Sequence, residues 1–262
     1  MIDLYTFEKN KTQAVQYPFT SFTHLDYEDC MQPELLCQDE GLILLYDSGH
    51  APAALYYAAK DFQSVVKAVQ DITGEMLLIQ VPHAAQKALE AKGFAVYAEF
   101  VDHFNEDLQA FAMRYKQDES IEFLQAGECP QAAQVVIRCH HQSRGFAGKG
   151  EEWLAEWVQN EHVIIARMQG RIAGLCCVSI YGNGMILWIR LIYVDPAFQG
   201  QGVGGKLMTQ AIRYGAAQGA QRGFLAVDTQ NDNAIHLYHK FGFLPREDRG
   251  ELQMIRLAQP VI

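Results

Sequence analysis

The segment Val194-Asp-Pro-Ala-Phe-Gln-Gly-Gln-Gly-Val-Gly-Gly-Lys-Leu207 constrains this chain more than any other. An apolar strand pattern runs into Val194, Pro196 marks a turn, and a glycine-rich loop then opens a helix with Val203, Leu207 and Ala211 along one face. Gly200, Gly202, Gly204 and Gly205 remove side chains where backbone N–H groups must approach something closely. The first N–H groups of a helix lack intrahelical acceptors and carry a partial positive charge. The ligand such a loop favours is therefore a phosphate, held as part of a cofactor.

Three phosphate loops compete for these residues. Gly200, Gly202 and Gly205 spell G-x-G-x-x-G, and Asp228 follows the strand pattern Phe224 to Val227 where a dinucleotide fold places its ribose-binding acid. In that fold the first glycine nearly abuts its strand and further βα units follow. Here Asp195 to Gln199 intervene, and little chain remains after Asp228. Gly200 to Lys206 also spell G-x-x-x-x-G-K, but Leu207 stands where a triphosphate loop needs Ser or Thr for magnesium.

The third reading uses more of the chain. Val194-x-Pro196-x-x-Gln199-Gly-x-Gly202-x-Gly204, followed by Asn231-x-x-Ala234-Ile-x-Leu-Tyr238-x-Lys240-x-Gly242-Phe243, resembles the Gcn5-related N-acetyltransferase (GNAT) superfamily over about residues 119–262. The resemblance implies an acetyl-CoA-dependent N-acetyltransferase that moves an acyl group directly to a primary amine, with acetyl-CoA as cosubstrate and no metal. It implies that Gln199, Gly200, Gln201, Gly202, Val203, Gly204 and Gly205 hold the pyrophosphate. Ile192, Tyr193 and Val194 would present backbone groups to the acyl-pantetheine arm, and Asn231 would contact its amides. Tyr238 would protonate the leaving thiolate. Asn231 has a second reading as a helix cap, and Tyr238 one as a packed ring. Some members of the superfamily carry a glutamate four residues before the strand's terminal valine; that place is Arg190 here. The base is left open among Asp228, His140, His141 and Glu161, and Trp188 and Arg190 are candidates for the acceptor pocket. Two other functional classes remain: a non-catalytic acyl-CoA-binding sensor, and an NAD-dependent oxidoreductase using Asp228.

The patterns around the motifs give an α/β (α+β) chain of two tandem acyltransferase-like domains, each a mixed, mostly antiparallel sheet flanked by helices. In the second half, strand patterns at 121–125, 163–168, 172–181 and 185–194 precede the glycine loop. Helices are predicted at 130–143, with Ala133, Val136, Ile137 and His140 near one face, and at 151–159. A strand at 222–228, a helix at 233–240 and a strand at 252–257 follow. The first half echoes this order with a hairpin at 41–47 and 53–58, a helix at 62–73, a strand at 76–81 and a helix at 84–92. Lys92-Gly93-Phe94 parallels Lys240-Phe-Gly242-Phe243, yet no Gly-x-Gly precedes the helix at Phe62, and Leu89 or Glu90 stands in the place of Tyr238. The expected domains are a degenerate half at 1–106, a linker at 107–118 and a catalytic half at 119–262.

Charge and cysteines narrow the partners. A net charge of −10 with no dense Lys/Arg run excludes a nucleic-acid surface and slightly favours a cationic small-molecule amine. No apolar run approaches a bilayer span, and the N-terminus has neither the basic start nor the apolar core of a signal peptide, so no membrane partner and a cytoplasmic location are expected. A homodimer stays open. Cys30, Cys37, Cys129, Cys139, Cys176 and Cys177 form no C-x-x-C pair and read as reduced thiols. Cys139-His140-His141 is a poor chelate, because adjacent helical side chains diverge by about 100°. Cys176 and Cys177 should face opposite sides of a strand.

Overall fold

The computed structural model describes residues 1–23, 25, 27, 30–116, 120–139 and 150–257. They form two compact units, one of residues 1–99 with 251–262 and one of residues 100–250. The expected boundaries at 106 and 119 differ from this division because two long strands, Ala95–Asn105 and Leu244–Arg256, each contribute to both units. No helix among the described residues is long and apolar enough to cross a membrane.

The first unit holds α1 (Leu4–Ala14), β1 (Phe19–Thr20), β2 (Pro33–Gln38), β3 (Leu42–Asp47), β4 (Ala53–Ala59), α2 (Phe62–Ala68), β5 (Met76–Val81), α3 (Gln86–Glu90) and the start of β6 (Ala95–Asn105). β2, β3 and β4 are antiparallel, and β4 and β5 run parallel across the α2 crossover from Ala53↔Met76 to Leu55↔Leu78. Residues 252–256 of the chain's last strand then pair antiparallel with β5. Leu55, Tyr57, Val65, Met76, Leu78 and Leu89 form the core beneath α2 and α3, and Phe7, Phe22, Ile43 and Leu45 form the one beneath α1.

The second unit holds the rest of β6, α4 (Leu108–Ala112), β7 (Ile121–Phe123), α5 (Cys129–Cys139), α6 (Glu151–Asn160), β8 (His162–Met168), β9 (Arg171–Tyr181), β10 (Ile186–Val194), α7 (Val203–Ala217), β11 (Arg222–Asp228), α8 (Asp232–Lys240) and the start of β12 (Leu244–Arg256). Its sheet runs β7-β8-β9-β10-β11-β6. Every ladder is antiparallel except β10 with β11. Such a sheet is not the doubly wound parallel sheet that the dinucleotide reading requires. Gln169 and Gly170 both have positive φ, the geometry a tight β8–β9 hairpin demands. Alternation along the strands divides the core into two layers. Cys176, Val178, Leu187, Ile189, Leu207 and Ala211 pack under α7, whereas Leu175, Cys177, Leu191 and Tyr193 pack under α5 and α6. The tandem cysteines thus face opposite layers, both buried and free.

Three local expectations change. Ile137, expected on the buried face of α5, is 53% exposed; the expected Ala133 and Val136 are buried, joined by Ala132 and Val135. The helix expected at 62–73 stops at Ala68, with Val69 as its C-cap. There Arg256 donates from its guanidinium to the carbonyls of Val69 and Ile72, satisfying groups that a longer helix would have bonded itself. The final strand begins eight residues earlier than the expected 252, at Leu244. The expected linker contains the short helix α4, and residues 117–118 lie outside the described ones.

Candidate active site

The parallel ladder between β10 and β11 ends at Trp188↔Phe224. One residue later the β9–β10 register shifts between Ile189 and Leu191, a bulge that re-aims the remainder of β10. Before it, Leu187 and Ile189 face the α7 layer; after it, Leu191 and Tyr193 face the α5 layer. β11 meanwhile stays paired with β6 as far as Asp228↔Phe100. The separating strands leave a cleft of about 150 Å³ lined by Phe100, Ile189 to Val194, Ala226, Val227, Asp228, Asn231 and Tyr238.

The glycine loop begins at the far end of β10. Asp195 accepts the Ala197 N–H and an ion pair from Arg138 at 2.7 Å, pinning the turn at Pro196–Phe198. Burial raises the Asp195 pKa, but the Ala197 N–H and Arg138 outweigh it and hold the carboxyl below its usual range. Gln199 is exposed and donates its side-chain amide to the Val194 carbonyl, 3.1 Å away. Gly200 and Gly202 have φ of +73° and +81°, values that only glycine adopts without strain. Gly202 is the N-cap of α7 and supplies no side-chain acceptor. The first intrahelical bond runs from Lys206 N–H to Gly202, so helix geometry leaves the N–H groups of Val203, Gly204 and Gly205 for an external acceptor. A Cβ on Gly205 would meet nothing within 4 Å, so this approach is open.

The other side chains expected at the site fall into three groups. Ile192, Tyr193, Val194, Asn231 and Tyr238 meet in the cleft. Asn231 is also the N-cap of α8, its Oδ1 accepting the Ala234 N–H at 3.2 Å. Both readings of this residue therefore hold at once, since capping uses only the oxygen of its amide. Tyr238 is 7% exposed, and its hydroxyl is pushed far above the usual phenol range, first by burial and then by Cys176 and Tyr193.

Of the base candidates, Asp228 lines the cleft, 5% exposed, with Oδ1 accepting the Gln230 N–H. Glu161 lies elsewhere, close to Tyr214 of α7, whose hydroxyl pKa its charge helps to raise. His140 and His141 lie outside the described residues. Asp102 of β6 stands in register with Ala226 of β11, and burial raises its carboxyl against the opposing pull of Arg249. Nothing in the local sequence marks Asp102, because its place beside Ala226 depends on a strand pairing that spans more than a hundred residues.

The site is thus a mixed sheet opened by a bulge, followed in the chain by a glycine-rich helix start without a side-chain cap. Residues 129–243 match the model of the Acetyltransferase (GNAT) family. An uncharacterized N-acetyltransferase of Methanocaldococcus jannaschii is 28% identical over 117 residues, 41% of this chain and 52% of the relative. A mycothiol acetyltransferase of Streptomyces avermitilis is 29% identical over 119 residues, 44% of this chain and 39% of the relative. The matched segment thus spans about half, or less, of these relatives' length. A GNAT-family acetyltransferase of known structure from Colwellia psychrerythraea shares the fold with a TM-score of 0.61, covering 98% of both chains at 12% identity.

Proposed function

We propose that the chain is an acetyl-CoA-dependent N-acetyltransferase acting on a small primary amine, with its site in the cleft between β10 and β11. The observation that carries this reading is a convergence. The diverging edge of β10 and the buried Tyr238 line one cleft, and the uncapped start of α7 adjoins it, since a Cβ on Gly204 would lie 3.7 Å from the cleft residue Val194. The thioester of the bound cosubstrate supplies the acetyl group. The N–H groups of Val203 to Gly205 bind its pyrophosphate, with Gln199 to Gly202 shaping the loop around them. The backbone of Ile192, Tyr193 and Val194 aligns the pantetheine arm as an added strand would be aligned, and one N–H of this stretch stabilises charge on the reacting carbonyl oxygen. The Asn231 amide N–H₂ donates to a pantetheine carbonyl. Tyr238 returns a proton to the departing sulfur.

The first unit is, on this reading, a degenerate copy of the same architecture. Its three antiparallel strands, parallel pair and crossover helix follow the order of β8 to β11. The two halves also end a helix alike: the Phe94 N–H bonds the Leu89 carbonyl, and the Phe243 N–H bonds the Tyr238 carbonyl. Leu89, rather than Glu90, therefore takes the place of Tyr238.

Thermal unfolding with acetyl-CoA, NAD and magnesium-ATP in parallel tests the cofactor. Stabilisation by about 2.7 kcal/mol is expected at a hundred times the dissociation constant, for acetyl-CoA alone. A shift with NAD instead would sink the proposal.

A further inference from the structure

One face of the second unit's sheet carries chemistry that the acetyl-transfer reading leaves unused. Ser179, Trp188, Phe224 and Phe104 stand side by side in register on β9, β10, β11 and β6. Trp188 stacks on Phe224 with ring centroids 6.3 Å apart, Phe224 meets Phe104 at 5.1 Å, and Tyr181 closes the row edge-on against Trp188. Toward the glycine loop Ala226 stands in register with Asp102, and Arg190, at the β10 bulge, lines the same cleft as Ala226. The row beyond holds Asp228 opposite Phe100. Ala226 is exposed in the middle of a central strand, while Trp188, Phe224, Phe104 and Asp102 around it are half-buried. A methyl group ringed by larger side chains makes a shallow basin, and its inner wall is the cleft itself, which Arg190, Ala226, Asp228 and Phe100 line.

Cations gather on this face despite the chain's net charge of −10. Arg190 lies over the Trp188 ring at 4.7 Å, and Arg246 and Arg249 lie over Phe104 at 5.3 and 5.9 Å. Arg246 is paired with Glu106, and Asp102 lies near Arg249. Arg190 is the guanidinium nearest the reacting centre, on the β10 bulge and next to the backbone proposed to carry the acyl arm. An ammonium-rich acceptor would place positive charge against it. An acceptor whose carboxylate sits two bonds from its amine would pair with it, and only a short molecule brings both groups to this rim.

We propose that the basin is the acceptor subsite and takes a free α-amino acid with an aromatic or large apolar side chain. The proposal rests on the acetyl-transfer reading and gives that site its substrate class. The side chain lies on the Trp188–Phe224–Phe104 floor, the carboxylate pairs with Arg190, and the amine stands over Ala226 beside Asp228. The ammonium first loses one proton to solvent. As the C–N bond forms and the thioester C–S bond breaks, the second departing proton passes from nitrogen to Asp228 while Tyr238 protonates the sulfur. The products are an N-acetyl amino acid and free coenzyme A. This acceptor differs from the cationic amine that net charge alone suggested, because the local arginines outweigh a diffuse acidic surface at contact distance.

Calorimetric titration of the full chain separates the two readings. Acetyl-CoA is titrated alone, and then phenylalanine, phenylalaninamide, phenethylamine and spermidine are each titrated with and without coenzyme A. Phenylalanine should bind about 10- to 100-fold more tightly than its amide or phenethylamine, the loss expected when a charge-assisted contact is removed from one ring and one amine. Arg190→Met should bring the three to one affinity, and Arg190→Lys should retain part of the difference. The wild-type comparison stands even if a variant fails to fold. Equal binding of the amide or of spermidine would overturn the proposal, as would discrimination that survives Arg190→Met. Arg190-dependent phenylalanine binding without any acetyl-CoA heat would keep the subsite and sink the acetyl-transfer reading.

Discussion

The connection that follows the third antiparallel strand differs between the two units, and the difference separates a helix start without a side-chain cap from one that caps itself. In the second unit β10 leads through residues 195–202 into α7, whose N-cap is Gly202 in a left-handed conformation. In the first, β4 reaches α2 through Lys60 and Asp61 alone, and the Asp61 carboxylate accepts the Gln63 N–H. The same comparison holds along the strands. The β4–β5 ladder also stops early, at Leu55↔Leu78, yet the edge it leaves is taken. β1 pairs there with Ala58 and Ala59, Ser21 bonds both backbone groups of Tyr57, and the Tyr57 hydroxyl donates to the Gln80 carbonyl. The first unit fills from its own chain both places where, on the proposed reading, the second presents backbone to a ligand.

The largest effect should come from the pair Tyr238 and Leu89, equivalent by their helix-ending hydrogen bonds. Tyr238→Phe keeps the ring and removes the acid. Turnover should fall by about 10²- to 10⁴-fold with acetyl-CoA affinity unchanged, read by coenzyme A release beside calorimetry. Leu89→Ala should cost about 2–5 kcal/mol of stability by leaving a cavity in a fully buried position. Turnover per folded molecule should not change. Full turnover by Tyr238→Phe would remove the acid assignment and leave the binding claim intact.

Next in size is the ion pair that anchors the long connection, which has no counterpart at Lys60–Asp61. Arg138→Met strands the Asp195 carboxylate, 2% exposed, and should destabilise the chain by roughly 3 kcal/mol in urea unfolding. The pH dependence carries a sign. Because the folded pKa of Asp195 lies below its unfolded value, its contribution is complete above the ordinary aspartate range and is lost as pH falls through the folded pKa. The variant should lose that acid-side slope, and an unchanged slope would show that Arg138 does not hold Asp195 ionised.

Gly205→Asp puts a carboxylate into the first turn of α7, at a position where a Cβ meets nothing within 4 Å. A carboxylate there competes with pyrophosphate for the same N–H groups and repels it, so the acetyl-CoA dissociation constant should rise by about 10- to 100-fold. An unchanged constant would mean that the loop does not hold the phosphates.

How much of this was legible in the sequence follows from which interactions are local. The glycine loop, the helix face of Val203, Leu207 and Ala211, and the three strands before it were readable because each depends on residues within a turn or an alternation of one another. α1 and β2 were missed: α1 is weakly amphipathic, and β2 after its buried Pro33 alternates only half-buried with exposed residues, in a segment rich in polar groups. The end of α2 at Ala68 could not be read near Ala68, since the arginine that meets its carbonyls is Arg256. β6 poses the same problem at larger scale. Its alternation was available, but its partner β11 was not, and with the partner went Asp102 and Phe104 as parts of the candidate site.

The smallest expected effect is the one that tests whether the first unit's self-sufficiency is redundant. Asp61→Gly removes the cap and gives α2 the residue type that α7 has at its start. Stability should fall by only a few tenths of a kcal/mol, because glycine is itself a tolerated N-cap. Acetyl-CoA should still bind with a stoichiometry of one. A freed helix start is not sufficient while β1 occupies the edge of β4 and the Tyr57 hydroxyl closes the gap to β5. The seven-residue α2 also presents a weaker end than the fifteen-residue α7. A second binding event in Asp61→Gly would show that the cap alone excludes the cofactor, and that β1 moves aside when a phosphate arrives.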